Sequence, residues 1–274
     1  MPKEVDEWHD RLGGFVGRPA LDEYADKYSD HFVVERNGGV IELRMHSKGG
    51  PAVYSLGLHN AWGQAWQEIG NDPRNEVVIL TGTGNAWLAG IDPASFAQPF
   101  HEWPGDIAHE LYYDGMKLLE NLVFGVDVPT IGVVNGPGFH TELALFCDIT
   151  LAAEDAVFSD GHFAAGQAPG DGLQLAFQSL LGPKRAAHAL YTSERIDARK
   201  ALDLGLVNEV LPTDDLLPRA RQIAQTMMDR PRSTRRLTHA IVQRPFRRRL
   251  LEDHGFGMAH ELFGVFTDRP GNRG

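Results

Sequence analysis

The 274 residues contain a single cysteine, Cys147. One thiol excludes an internal disulfide and a cysteine-rich zinc site, and it fits a reducing compartment. Long apolar runs are missing as well, since no stretch approaches the roughly 18 residues that span a bilayer. The first residues, Met1-Pro2-Lys3-Glu4-Val5-Asp6-Glu7, lack the basic and apolar regions of a signal peptide. Positive charge is in deficit: the formal net charge is −11. That balance argues against a general nucleic-acid binder and against docking on an anionic membrane. What remains is a soluble, cytoplasmic protein, long enough for one large domain or two small ones.

Apolar periodicity divides the chain into three parts. Residues 1–28 are polar and mixed, and are expected to form an arm or short helix outside the core. Residues 29–212 alternate strands with helices. Phe32–Arg36 and Val40–His46 flank Asn37-Gly38-Gly39 and predict a β-hairpin. Leu58, Trp62, Trp66 and Ile69 lie at helical spacing within 56–69. Val77–Thr81, Pro129–Val134 and Ile149–Ala152 are short apolar runs of the type buried on both faces. Helices are expected over 106–122, 172–181 and 184–191, and a short strand over 208–211. Residues 213–274 are helical to about Phe266, with breaks near Pro231 and Pro245. The order predicts an α/β core followed by a C-terminal helical region. Arg230, Arg232, Arg235, Arg236 and Arg247–Arg249 read as solvated helix faces or subunit contacts.

The chemistry concentrates in residues 158–172. His162 and Asp171 stand nine residues apart, separated by small residues and a Pro-Gly turn. A carboxylate beside an imidazole fixes its tautomer and favours the imidazolium that forms when it takes a proton. The alternative is a satisfied core histidine and a turn aspartate. Ser159 with the same pair suggests a serine triad, but no G-x-S-x-G elbow surrounds it. Gly82-Thr83-Gly84 follows a strand like a dinucleotide loop, yet Trp87 takes the place of the third glycine. That loop could instead offer backbone N–H groups to an oxyanion. Twelve histidines raise the question of a metal, but His109-Glu110 and His260-Glu261 lack the rest of an H-E-x-x-H motif.

Several stretches together resemble the crotonase (enoyl-CoA hydratase/isomerase) superfamily: 77–84, 129–136, 148–154, Pro169-Gly170-Asp171-Gly172 and 201–210. The resemblance covers roughly residues 30–265. It implies a crotonase-like spiral of ββα units with a C-terminal α-helical trimerisation region, as a homotrimer or a dimer of trimers. Where hydratases have a glycine-rich turn, this chain reads Gly138-Phe139-His140-Thr141-Glu142. Glu142 matches one hydratase carboxylate, and His162 stands in place of the other. These departures resemble the branch of 6-oxocamphor hydrolase and related β-diketone hydrolases. That branch implies His162, Asp171, His140 and Glu261 as catalytic residues, with His162 deprotonating water and Asp171 holding its tautomer. It also implies that His59, Tyr54, Trp87, Ile91 and Phe139 surround the substrate, with Tyr54 replacing a tryptophan and the Ile91 amide at an oxyanion position. The implied reaction is retro-Claisen cleavage of a cyclic or bicyclic β-diketone to a keto acid, with no metal, nucleotide or CoA as cofactor. The competing expectation is an acyl-CoA enzyme that uses Glu142 with His162.

Overall fold

The computed structural model describes residues 11–13 and 17–267. Its centre is a six-stranded sheet in the order β1-β2-β4-β6-β7-β10. These strands are β1 (Phe32–Asn37), β2 (Val40–Met45), β4 (Val77–Thr81), β6 (Thr130–Val134), β7 (Ile149–Ala153) and β10 (Glu209–Leu211). The expected hairpin is present, with Asn37 opposite Val40 across Gly38-Gly39. All other pairings in this sheet are parallel. Every residue of β4 and β6 is buried, as expected of central parallel strands covered on both faces.

Short strands β3 (Val53–Tyr54) and β5 (Gly90–Ile91) pair in parallel, and β8 (Val157–Phe158) pairs with β9 (Ile196–Asp197). Two residues give no detectable alternation, so the sequence did not predict these ribbons. They complete a recurring unit of long strand, short strand and helix. The unit occurs as β2, β3 and helix α2 (Leu56–Asn71), then as β4, β5 and α3 (Gly105–Glu120). It returns as β7, β8 and α5 (Leu173–Leu181). Between them, β6 leads into the four-residue helix α4 (Glu142–Leu145) without a short strand. The irregular unit is the one that carries His140.

Helix α2 begins where Ser55 accepts a hydrogen bond from the Leu58 amide at 3.1 Å, which satisfies one free N–H of the first turn. It packs on α3, which ends in a π-helical turn over Asn121–Gly125. Helices α6 (Pro183–Thr192) and α7 (Ala198–Leu204) lead to β10. The chain then continues in α8 (Thr213–Met228), α9 (Arg232–Val242) and α10 (Arg244–Thr267). α8 packs against β4, β6 and β7, and α10 returns across α3 and α5. The final break precedes Pro245, which sits in the first turn of α10, where its missing N–H costs nothing.

The arm expected over 1–28 differs in its described part. Helix α1 (Leu21–Lys27) buries Tyr24, and Tyr28 follows it into the core. The Tyr24 hydroxyl donates to Asp72 at 3.0 Å. Two aromatics four residues apart in a polar stretch give a helix one apolar stripe, and that stripe ties the segment to the core. Residues 1–10 and 14–16 of the arm lie outside the described residues.

Candidate active site

The turn between β6 and α4 is shaped by close backbone contacts. A Cβ on Gly136 would lie 2.0 Å from the Asn85 carbonyl oxygen, and one on Gly138 would lie 2.5 Å from the Leu88 amide. Only glycine fits at this approach. Asn135 secures the same contact by accepting from Gly82 N–H at 3.0 Å and donating to the carbonyls of Gly84 and Ala86 at 2.8 and 3.1 Å. The glycine loop 82–84 is therefore engaged structurally. It borders a separate cavity with Arg44 and His46 and does not reach His140 or His162, so it offers that site no oxyanion donor.

Beyond Gly138 the chain turns at His140 with φ of 53°. This is the left-handed region that residues with a Cβ seldom adopt. A histidine thus holds a backbone conformation natural to glycine, and its ring gains two partners. Nδ1 lies 2.7 Å from Glu142 Oε1, and the ring lies 4.6 Å from the Tyr54 ring, centroid to centroid. Glu142 is fully buried, and its other oxygen has no partner among the described residues.

His162 sits on the loop between β8 and α5. Its partners differ from those the sequence suggested. Nδ1 lies 3.1 Å from Asp160 Oδ1, and that oxygen also accepts from the His162 backbone N–H at 2.9 Å. The other ring nitrogen, Nε2, points between Asp171 Oδ2 at 3.9 Å and Glu261 Oε1 at 3.7 Å. Asp171 is closer to His140 Nδ1, at 3.6 Å. At 3.9 Å no hydrogen bond joins Asp171 to His162, so Asp171 does not set the tautomer as expected. Asp160 makes that contact. The sequence signal for it was the local Asp-Gly-His turn, which resembles any Asx turn.

Glu261 arrives from α10, one turn beyond Met258. Two close contacts bring that helix in. A Cβ on Gly170 would lie 2.2 Å from the Gly257 carbonyl oxygen, and the space beside Gly115 is filled by Met258. Together these residues enclose a cavity of about 500 Å³. Tyr54, His59, Ile91, Phe96, Phe139 and Leu262 are among its apolar and aromatic walls. Four of the five residues expected around the substrate, Tyr54, His59, Ile91 and Phe139, therefore line this cavity. Trp87 is the exception: it is fully buried, and its indole donates to the His140 carbonyl at 3.1 Å. It supports the turn from behind the wall. Ser159 also borders the cavity. Among the described residues no hydrogen bond joins it to His162, whose Nδ1 is already held by Asp160, so no serine triad forms.

Charge in the site is unevenly shared. Burial opposes the charge on His162, but Asp171, the Asp160 hydrogen bond and Glu261 outweigh it and raise its pKa to about 10. Burial likewise opposes the charge on His140, and Glu142 with Asp171 more than compensates, so its pKa is raised. Asp171 is lowered: burial would lift it, but the two imidazoles prevail. Glu261 moves the other way. Burial and the Asp171 charge push it up to about 8. Burial lowers His59 to about 3 and leaves it neutral. His140, Glu142 and Asp171 bring ligand atoms within 4.8 Å of one another, as do Asp160, His162 and Asp171. Such donors could hold a divalent ion; the imidazole–carboxylate contacts at 2.7 and 3.1 Å pair them as a proton network. Among the described residues, no Lys or Arg lines the cavity.

The fold, with its central parallel sheet and C-terminal helical region, defines the class. The chain belongs to the enoyl-CoA hydratase/isomerase family, whose model matches residues 35–268. The crotonyl-CoA hydratase of Syntrophomonas wolfei subsp. wolfei is 32% identical over 200 residues, 72% of this chain and 74% of that protein. Among solved structures, a β-diketone hydrolase from the cyanobacterium Anabaena sp. PCC 7120, bound to (S)-3-oxocyclohexyl acetic acid, is 36% identical. It superposes with a TM-score of 0.84 over 89% of this chain and 97% of its own. An enoyl-CoA hydratase/isomerase from Mycobacterium paratuberculosis shares the fold at 24% identity and a TM-score of 0.80, over 87% of this chain and 95% of its own.

Proposed function

We propose that this enzyme hydrolyses a carbon–carbon bond of a neutral cyclic or bicyclic β-diketone, giving a keto acid by a retro-Claisen reaction. The observation that carries the reading is the pair of imidazoles, His140 and His162, facing Asp171 from two sides in a cavity that holds further carboxylates but no Lys or Arg among the described residues. A diketone has two oxygens that need hydrogen-bond donors, one as water adds and one as the enolate departs. Two imidazoles supply them. The similarity to the Anabaena β-diketone hydrolase, which binds a keto acid, supports the same chemistry. The acyl-CoA alternative draws on the hydratase relatives. It is weakened because Glu142, the carboxylate it would use, is already engaged by His140 at 2.7 Å.

The charge states assign roles that differ from the first expectation. With a pKa of about 10, His162 carries its proton at neutral pH and serves as a donor instead of deprotonating water. Asp171, held ionised between the imidazoles, takes the proton of the attacking water as its oxygen bonds to one carbonyl carbon. The tetrahedral intermediate collapses, the bond to the central carbon breaks, and its electron pair passes onto the second carbonyl. The backbone amide of Ile91 is a further candidate donor to an oxygen. Glu261, protonated below about pH 8, delivers a proton to the enolate carbon. His162 Nε2, 3.9 Å from Asp171 and 3.7 Å from Glu261, returns the proton from one carboxyl to the other. The sum is diketone plus water to keto acid, with no cofactor consumed.

The exposed apolar side chains of α9 and α10 support self-association as a homotrimer or a dimer of trimers. Leu237, Ile241, Leu251, Phe256 and Phe263 are all exposed, and large apolar side chains left exposed on two consecutive helices suit an interaction surface.

The test is mass spectrometry of the protein incubated with a panel of cyclic and bicyclic β-diketones without CoA. A ring-opened product heavier by one water, lost in Asp171→Asn, is expected. No conversion, with enoyl-CoA hydration instead, would replace this reading by the acyl-CoA one.

A further inference from the structure

We infer that Asp160 is the positioning residue of His162, fixing its proton on Nδ1 and aiming Nε2 at the reacting atoms. This leaves Asp171 free to serve both imidazoles, and it builds on the hydrolase reading for its catalytic consequence. The geometry is specific. One oxygen, Asp160 Oδ1, receives both the backbone N–H of His162 at 2.9 Å and the ring Nδ1 at 3.1 Å. Backbone and ring are therefore fixed by the same atom, two residues away. A carboxylate only accepts hydrogen bonds, so the contact requires a proton on Nδ1. Nε2 is then the nitrogen directed at Asp171 and Glu261.

A plain turn is the competing explanation, and it accounts for only part of the site. An Asx turn needs one accepting oxygen, which asparagine or serine supplies equally well. Here the side chain is a carboxylate in a residue only 2% exposed, and its second oxygen, Oδ2, has no partner among the described residues. Burying an acid with one unpaired oxygen is unfavourable unless a charged partner offsets it. The imidazole of His162 is the group in contact that can supply that charge. The titratable groups that face His162 are Asp160 on its own loop, Asp171 before α5 and Glu261 on α10. His140 faces Asp171 from the other side.

Asp160→Asn is the informative variant, because it keeps an oxygen for both N–H groups and removes the charge. Nitrogen-15 NMR of the imidazole rings, followed across pH in the substrate-free protein, reads the protonation midpoint and tautomer of His162. In the wild type, neutral His162 should keep its proton on Nδ1. In Asp160→Asn the midpoint should fall by about 1–3 pH units, the range for loss of an opposite charge at this separation. With a diketone substrate, kcat should fall about tenfold or more while KM changes little, as for loss of orientation at the reacting centre. Asp171→Asn should also lower the midpoint but leave the Nδ1 tautomer intact. A wild-type tautomer with the proton on Nε2 would overturn the assignment, as would an unchanged midpoint in Asp160→Asn. The NMR readout needs no substrate. If no diketone is cleaved, the proposed reaction falls while the role of Asp160 is still decided.

Discussion

Glu261 is the residue whose protonation sets the upper pH limit of the proposed reaction. Its carboxyl is pushed up to about 8 by burial and by Asp171, so kcat should decline above that pH. Glu261→Gln should lower kcat by about 10²–10⁴-fold, the usual contribution of a positioned acid; a pH–rate profile checks both statements. Stability should also fall as pH rises. A carboxyl raised in the folded state binds its proton more tightly there than when unfolded, so the fold loses stability as pH rises from about 4.5 to 8. Glu261→Gln should therefore have a higher Tm than the wild type at pH 9, with the difference gone below pH 4.5. At this scale the sequence was partly legible. His140, His162, Asp171 and Glu261 share one cavity as expected. Their pairing was not legible, because the eight residues of loop between His162 and Asp171 allow both a hydrogen bond and the observed 3.9 Å. Trp87 was placed in the wall because an aromatic suits a pocket and a core equally well.

The elements that build the site are held by contacts no larger than a hydrogen atom. Gly170 before α5 meets Gly257 of α10 backbone to backbone, and this contact sets how far Glu261 reaches toward His162. Gly170→Ala would force the two elements apart. Overpacking of this kind costs about 1–3 kcal/mol, and the retreat of Glu261 should reduce kcat as well. Thermal unfolding and turnover, measured on the same preparation, check both effects. The long helices and the apolar strands β4 and β6 were legible from periodicity alone, because burial of one helix stripe or of both strand faces leaves a pattern. The ribbon of β3 and β5 was not, although it holds Tyr54 beside Ile91. Two-residue strands carry no period, and the position of Tyr54 depends on a partner 37 residues away. The left-handed turn at His140 was hidden for a related reason: only the surrounding contacts make that conformation tolerable.

For the molecule as a whole, the exposed apolar side chains of α9 and α10 lead to a direct expectation. Ile241 is 72% exposed. If trimers form through this region, Ile241→Asp should release monomers with little change in the fold, since the side chain contributes almost nothing to the core. Light scattering after gel filtration distinguishes the outcomes, and a wild-type monomer would remove the idea of self-association. The arrangement of the cavity wall along the chain has a further consequence during synthesis. His59, His140 and His162 leave the ribosome well before Glu261, Leu262 and Val265, which line the same cavity from α10. A nascent chain that has already formed its sheet would display its histidines in an open trough. The last helix closes that trough and, in the proposed reaction, brings the acid with it.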